Sequence, residues 1–197
     1  MSDLLALDVA ILLPPDAGGR AIQSSAALPD SESQGLRLDA EHLPHITLTQ
    51  QFVRVDDLDA IFERVDGALR GQPPVTIRVT GGGKGGSSVW MAVERTPALS
   101  RLHERLMQAL RAFEQPGGGS AAFCEGDARS GDVAWVSGYR LSCSLSAYTP
   151  HITLGHASEP PRVDPFTFEA TTVAACHLGR FCSCRRVLRR WDLTCCM

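Results

Sequence analysis

HLPHITLTQQF (42–52) and YTPHITLGHA (148–157) share one pentapeptide, PHITL, at 44–48 and again at 150–154. At ordinary residue frequencies a chain of this length repeats five letters by accident on the order of once in a hundred sequences. The repeat therefore points to a duplicated unit or to two halves of one site. In a strand, alternate side chains point to opposite faces. His45 and Thr47 then share one face while Ile46 and Leu48 share the other, and His151 and Thr153 stand likewise against Ile152 and Leu154. Each motif strand buries two aliphatics and offers an imidazole and a hydroxyl on its opposite side. The proline before each histidine removes a backbone donor and favours an extended entry.

Working outward, Leu4 to Leu13 reads as a buried strand ended by Pro14-Pro15, and 20–40 as a loop with a short helix. Asp56 to Leu69 predicts a helix capped by Asp56, with Leu58, Ile61, Phe62, Val65 and Leu69 on one face. VTIRV (75–79) and VWMAVE (89–94) form a hairpin through GGGKGGSS. Thr96-Pro97 opens a second helix with Leu99, Leu102, Leu106, Leu110 and Phe113 on its apolar face. From 115 to 138 the composition turns to Gly, Ser and Asp, which predicts a flexible insertion or lid. FTFEATTVAACHL and CRRVLRRWDL are read as two closing strands. The fold class is α+β with mostly antiparallel sheets, one domain over 1–197 with a motif in each half. Gly81, Gly83 and Gly86 match G-x-G-x-x-G, but a strand follows where that fingerprint needs a helix, so the run is a hairpin turn.

Composition bounds the chemistry. The net charge of −3 over 197 residues excludes a protein that holds nucleic acid by bulk electrostatics, but leaves open a small anion held by local donors. The seven cysteines are an odd number, and 4–15 lacks a basic leader and carries Asp8, so reduced thiols and a cytoplasmic location are expected. No apolar run reaches the ~20 residues of a membrane span. The late CSC and CC pairs fit no common zinc spacing.

Two opposed histidines supply one general base and one general acid near neutral pH. Threonine hydroxyls and imidazolium N–H groups are donors for phosphate oxygens. Water attack on a phosphodiester fits this set, with neither metal nor cofactor required. His42 and His156 flank the motifs in unlike contexts and are not read as ligands; His103 and His177 are read as structural.

Two H-x-T-L motifs on strands of an internally duplicated α+β chain resemble the 2H phosphoesterase superfamily, which includes the RNA 2′,3′-cyclic phosphodiesterases long called 2′-5′ RNA ligases. TPHITLG and the closing FTFEATTVAACHLGRFCSCRRVLRRWDL are similar too. The resemblance implies a two-lobed fold of antiparallel sheets with helices outside and the motif strands facing a central cleft. It implies His45, Thr47, His151 and Thr153 as the catalytic quartet, no metal, and opening of a terminal 2′,3′-cyclic phosphate to a 2′-phosphate, with weak reverse ligation in some members. The chain departs from the family in the TQQF that follows its first motif. Phe52, Tyr148 and Arg180 are the substrate-binding candidates, with Gln51, Trp135, Tyr139 and Arg185 as further contacts. RNA ends or small nucleotides are the expected substrates, and a monomer the expected state. Two other readings stand beside this one: a module that binds an AMP-like nucleotide without turnover, and an enzyme acting on 2′-5′ oligoadenylate or a cyclic ADP-ribose phosphate.

Overall fold

LLALDVAIL is apolar on both faces, the pattern of a strand covered on both sides. In the computed structural model, which describes residues 3–194, this segment is β1 (Leu4–Leu12), an interior strand with almost every residue buried. The elements that follow are α1 (Pro15–Ala26), β2 (His45–Arg54), α2 (Leu58–Leu69), β3 (Val75–Gly85), β4 (Ser88–Val93), α3 (Pro97–Ala109) and α4 (Ser130–Ser142). The chain then runs through β5 (His151–His156), β6 (Phe166–Ala170), β7 (Thr172–Leu178) and β8 (Cys184–Asp192). Two antiparallel four-stranded sheets result, with strand orders β2-β1-β7-β8 and β5-β4-β3-β6. Each motif strand is thus the edge of a different sheet.

The predicted alternation is present in both copies: Ile46, Leu48, Ile152 and Leu154 are wholly buried, while the two histidines and threonines are half-buried. The four aliphatics join one apolar cluster fed by both sheets and by Ile61, Val65, Leu99, Leu102 and Leu106 of α2 and α3. Truncating any of these leucines to alanine costs roughly 2–5 kcal/mol. The duplication extends to the backbone. The β1–β2 register passes from Val9↔Thr49 to Ala10↔Thr47, and β4–β5 from Val89↔Gly155 to Trp90↔Thr153. Leu48 and Leu154 are therefore each the extra residue of a bulge, which re-aims the side chains that follow.

Several elements differ from their sequence reading. Pro15 opens α1 rather than ending a strand, since a helix's first turn needs no proline N–H. Asp56 lies in a 3₁₀ turn, Val55–Asp57, that leads into α2, whose N-cap is Asp57. FTFEATTVAACHL is two strands: β6 pairs with β3 and β7 with β1, so the chain crosses between sheets at Thr171. The stretch 115–138 holds most of α4, buries Ala122 and Phe123, and is stitched to the sheet by Gln115 N–H to Phe52 O (2.8 Å) and Cys124 N–H to Leu178 O (2.8 Å). Among the described residues no helix is long and apolar enough to cross a membrane.

Candidate active site

A cavity of about 750 Å³ lies where the two motif edges meet, and His45, Thr47, His151 and Thr153 all line it. The two histidines are held in the same way. His45 Nδ1 lies 2.7 Å from Leu43 O, and His151 Nδ1 lies 2.8 Å from Thr149 O. A carbonyl only accepts, so Nδ1 carries the hydrogen in both rings and Nε2 is the nitrogen left for chemistry. The carbonyl used is in each case two residues upstream, across Pro44 or Pro150, which gives the first letter of PHITL its purpose.

The copies differ in electrostatics. His151 is half-buried with its open side toward the cavity. Burial holds its imidazolium below the usual histidine range, the bond to Thr149 O opposes this, and charge on His45 adds to the depression. Its ring lies 5.2 Å from that of Trp90. The glycine run of the β3–β4 hairpin serves this tryptophan: a methyl at Gly83 would stand 2.2 Å from the indole nitrogen, and one at Gly85 2.9 Å from the far edge of the ring.

His45 instead has a carboxylate beside it. Asp8 Oδ2 lies 3.7 Å from His45 Nε2 and accepts hydrogen bonds from Thr47 Oγ1 (2.8 Å) and Gln50 Nε2 (2.7 Å). Thr47 thus lines the cavity while its hydroxyl proton goes to Asp8. Donor atoms of Asp8, His45 and Cys184 lie within 4.8 Å of one another, a spacing an ion could share. The Cys184 thiol is a poor ligand for one. Burial, followed by its bond to Cys176, pushes it well above the usual thiol range, and the thiolate is the ligating form. Cys195 and Cys196 lie outside the described residues.

Other predicted contacts separate clearly. Tyr148 lines the cavity, but its ring stacks on His103 (3.8 Å between centroids) and its hydroxyl donates to Thr47 O (2.9 Å). Trp135 and Tyr139 line the cavity too. Phe52 does not: it shares a strand face with the cavity-lining Gln50 but is covered by Gly118 and buried edge-on against Phe123. Gln51 is buried as well and donates to Leu110 O. Arg180 is exposed and not part of the cavity wall, its guanidinium 5.0 Å over Phe181. Arg185 is taken up by Glu125, Glu41 and His42. His103 bonds Leu48 O and accepts from Leu145 N–H, and His177 bonds Ala122 O; both are structural.

Residues that the motif did not reveal complete the wall. Phe181, at φ 64°, is fixed by its N–H to Asp132 Oδ2 (3.1 Å) and by the Arg129 guanidinium 4.0 Å over its ring. A non-glycine residue held in this region costs of order 1–3 kcal/mol and persists only where its surroundings over-determine it. His156 completes the group, its ring 5.1 Å from Phe181 and Nδ1 3.2 Å from Ser33 O.

Solved structures share the architecture. E. coli LigT in its apo form superposes with a TM-score of 0.62 at 22% identity, covering 98% of this chain and 99% of its own. TT0787 of Thermus thermophilus gives 0.63 at 20% identity over 97% and 99%. E. coli LigT complexed with 3′-AMP gives 0.63 at 22% over 98% and 99%. At this identity the likeness establishes the fold. No curated protein matches the chain by sequence. The family model described as the 2′-5′ RNA ligase superfamily matches residues 14–182, which include both motifs and every cavity-lining residue named above. The chain belongs to the 2′-5′ RNA ligase superfamily.

Proposed function

We propose that this protein is a phosphodiesterase that opens 2′,3′-cyclic phosphates, at RNA ends or on nucleotides, to 2′-phosphates. The observation that carries this reading is the pair of imidazoles lining one cavity from two strands, each with Nδ1 tied to a backbone carbonyl and Nε2 left for proton transfer. His151, depressed by burial and by His45, is the neutral ring and acts as base; His45 is the donor. His151 Nε2 takes a proton from water, the water oxygen bonds to phosphorus, the P–O3′ bond breaks, and His45 Nε2 delivers its proton to O3′. The product keeps the phosphate on O2′. Thr153 is the hydroxyl placed to donate to a phosphoryl oxygen in this reading. Both proton transfers are met by imidazole, so the scheme calls for no Lewis acid.

Nucleotide-bound structures of a relative in fold support the substrate class: LigT has been solved with 3′-AMP, with ATP and with NADP+. A cavity of about 750 Å³ suits a mononucleotide or chain end, within the ~300–1,000 Å³ of small-molecule sites. The test is incubation with 2′,3′-cyclic AMP in EDTA with identification of the product isomer. Turnover to 2′-AMP is expected. Stoichiometric binding without product would replace the enzyme by a nucleotide-binding module.

A further inference from the structure

Asp8 is a charged residue in the middle of an otherwise apolar strand. It is wholly buried, on the face of β1 that carries Ala6, Ala10 and Leu12. A buried carboxylate without compensation costs several kcal/mol, so its surroundings must answer for it. They do so on one oxygen. Oδ2 receives Thr47 Oγ1 and Gln50 Nε2, with His45 Nε2 next at 3.7 Å, while Oδ1 has no hydrogen-bond partner among the described residues. Gln50 also donates to Thr47 Oγ1 at 3.3 Å. Residues three apart on a regular strand point to opposite faces; the bulge at Leu48 is what turns Thr47 and Gln50 to the same carboxylate.

We propose that Asp8 is the positioning residue of this site: its carboxylate fixes Thr47 and Gln50 and faces the proton on His45 Nε2, which makes His45 rather than His151 the proton donor. The proposal rests on the two-imidazole reading given above. Oδ2 takes two donors and faces His45 Nε2 across 3.7 Å, the separation of an ion pair rather than of a hydrogen bond. No carboxylate oxygen comes within 4.0 Å of a His151 ring nitrogen among the described residues, so the asymmetry belongs to the His45 copy.

The titratable groups facing Asp8 are His45 from β2, Cys176 across the β7 pairing, Cys184 from β8, Tyr139 from α4, and Tyr148 and Cys182 from the loops; His45 is faced also by His151. Burial pushes both phenols and the Cys182 and Cys184 thiols upward, so they stay neutral through the working range. Burial likewise raises the Asp8 carboxyl, and the charge of His45 is the largest of the influences that oppose it.

The experiment has two arms on the full chain. With 2′,3′-cyclic AMP, Asp8→Asn is expected to lower kcat by roughly 10- to 100-fold with KM within about threefold, and to move the alkaline limb of kcat/KM to lower pH. The sign follows from charge: an anion favours the imidazolium, so its loss lets the donor deprotonate sooner. An unchanged profile, or an equal loss at every pH, overturns the proposal. The second arm follows the Asp8 ¹³Cγ resonance against pH in wild type and His45→Ala. Removing the cation should raise the Asp8 midpoint by about a unit or more; an unmoved midpoint overturns the proposal. This arm needs no turnover and no folded Asp8 variant. It still decides the case if 2′,3′-cyclic AMP is left uncut, a result that would count against the phosphodiesterase reading alone.

Discussion

Replacing Tyr148 by phenylalanine separates two roles that one residue was open to. A tyrosine three residues before the second motif, beside a nucleotide-sized cavity, suggests a base contact. The structure turns its hydroxyl the other way, 2.9 Å from the carbonyl of Thr47, and lays its ring on His103 with an interplanar angle of 1°. Tyr148 thereby straps the entry of the second motif strand to the backbone of the first. Phenylalanine keeps the stack and deletes one buried hydrogen bond, leaving the Thr47 carbonyl one donor short. That costs about 1–2 kcal/mol. For a chain of this size each kcal/mol shifts the melting temperature by about 2–4 °C, so Tyr148→Phe should melt about 2–8 °C below wild type. Because the hydroxyl is not presented to a ligand, KM for 2′,3′-cyclic AMP should stay within about twofold. Thermal melts and steady-state kinetics on the same preparations decide the matter. A variant that melts with wild type but shows KM raised about tenfold would refute the strap and restore the base contact.

Other consequences can be checked alongside. Trp135 is 46% exposed at the cavity wall, so Trp135→Ala should raise KM for a nucleotide about tenfold through lost stacking while leaving the melting temperature in place; an unchanged KM would remove it from the site. Gly82→Ala should destabilise by at least about 2 kcal/mol, because the new methyl would lie 1.9 Å from the Pro161 carbonyl oxygen; urea unfolding reads this, and a neutral outcome would contradict the hairpin's packing. Tyr139 and Tyr148 are the chain's two tyrosines, and burial raises both above the ordinary phenol range. The folded state then binds more protons than the unfolded above pH ~10, so their contribution is fully present below that pH and is lost as pH rises beyond it. Phenolate absorbance should accordingly appear only together with unfolding; ionisation in the folded protein would contradict the burial.

The repeat made the centre of the molecule legible because strand alternation is a local rule. Which letters of PHITL point inward follows from it directly, whereas the meeting of the two histidines at one cavity depends on how the edges of two sheets come together. What escaped reading depends on partners far away in sequence. The break at Thr171 was hidden because FTFEATTVAACHL is apolar enough for one strand, and only pairing to two different sheets divides it. Helix α4 was hidden by the glycines and serines around it; beside its local cap between Arg129 and Asp132, it is tied to the distant Phe181, whose N–H donates to Asp132. Phe52 follows the first motif closely enough to read as a ligand contact, and only the distant Phe123, packed over it from the 115–138 stretch, takes it out of the cavity. Asp8 left a readable trace, a lone charge in a buried strand, yet its partners Thr47 and Gln50 lie 39 and 42 residues away and meet it only through the β1–β2 register.

The central claim is that two imidazoles divide acid and base work on a phosphodiester. The most direct test measures kcat for wild type, His45→Ala and His151→Ala on 2′,3′-cyclic AMP and on a phosphodiester with a p-nitrophenolate leaving group. Each variant should lose at least ~100-fold on the cyclic nucleotide. On the activated ester, whose leaving group needs no proton, His45→Ala should recover most of that loss and His151→Ala none. Full activity of either variant on the cyclic nucleotide would contradict the two-histidine mechanism, and recovery by His151→Ala instead would reverse the roles assigned to the two rings.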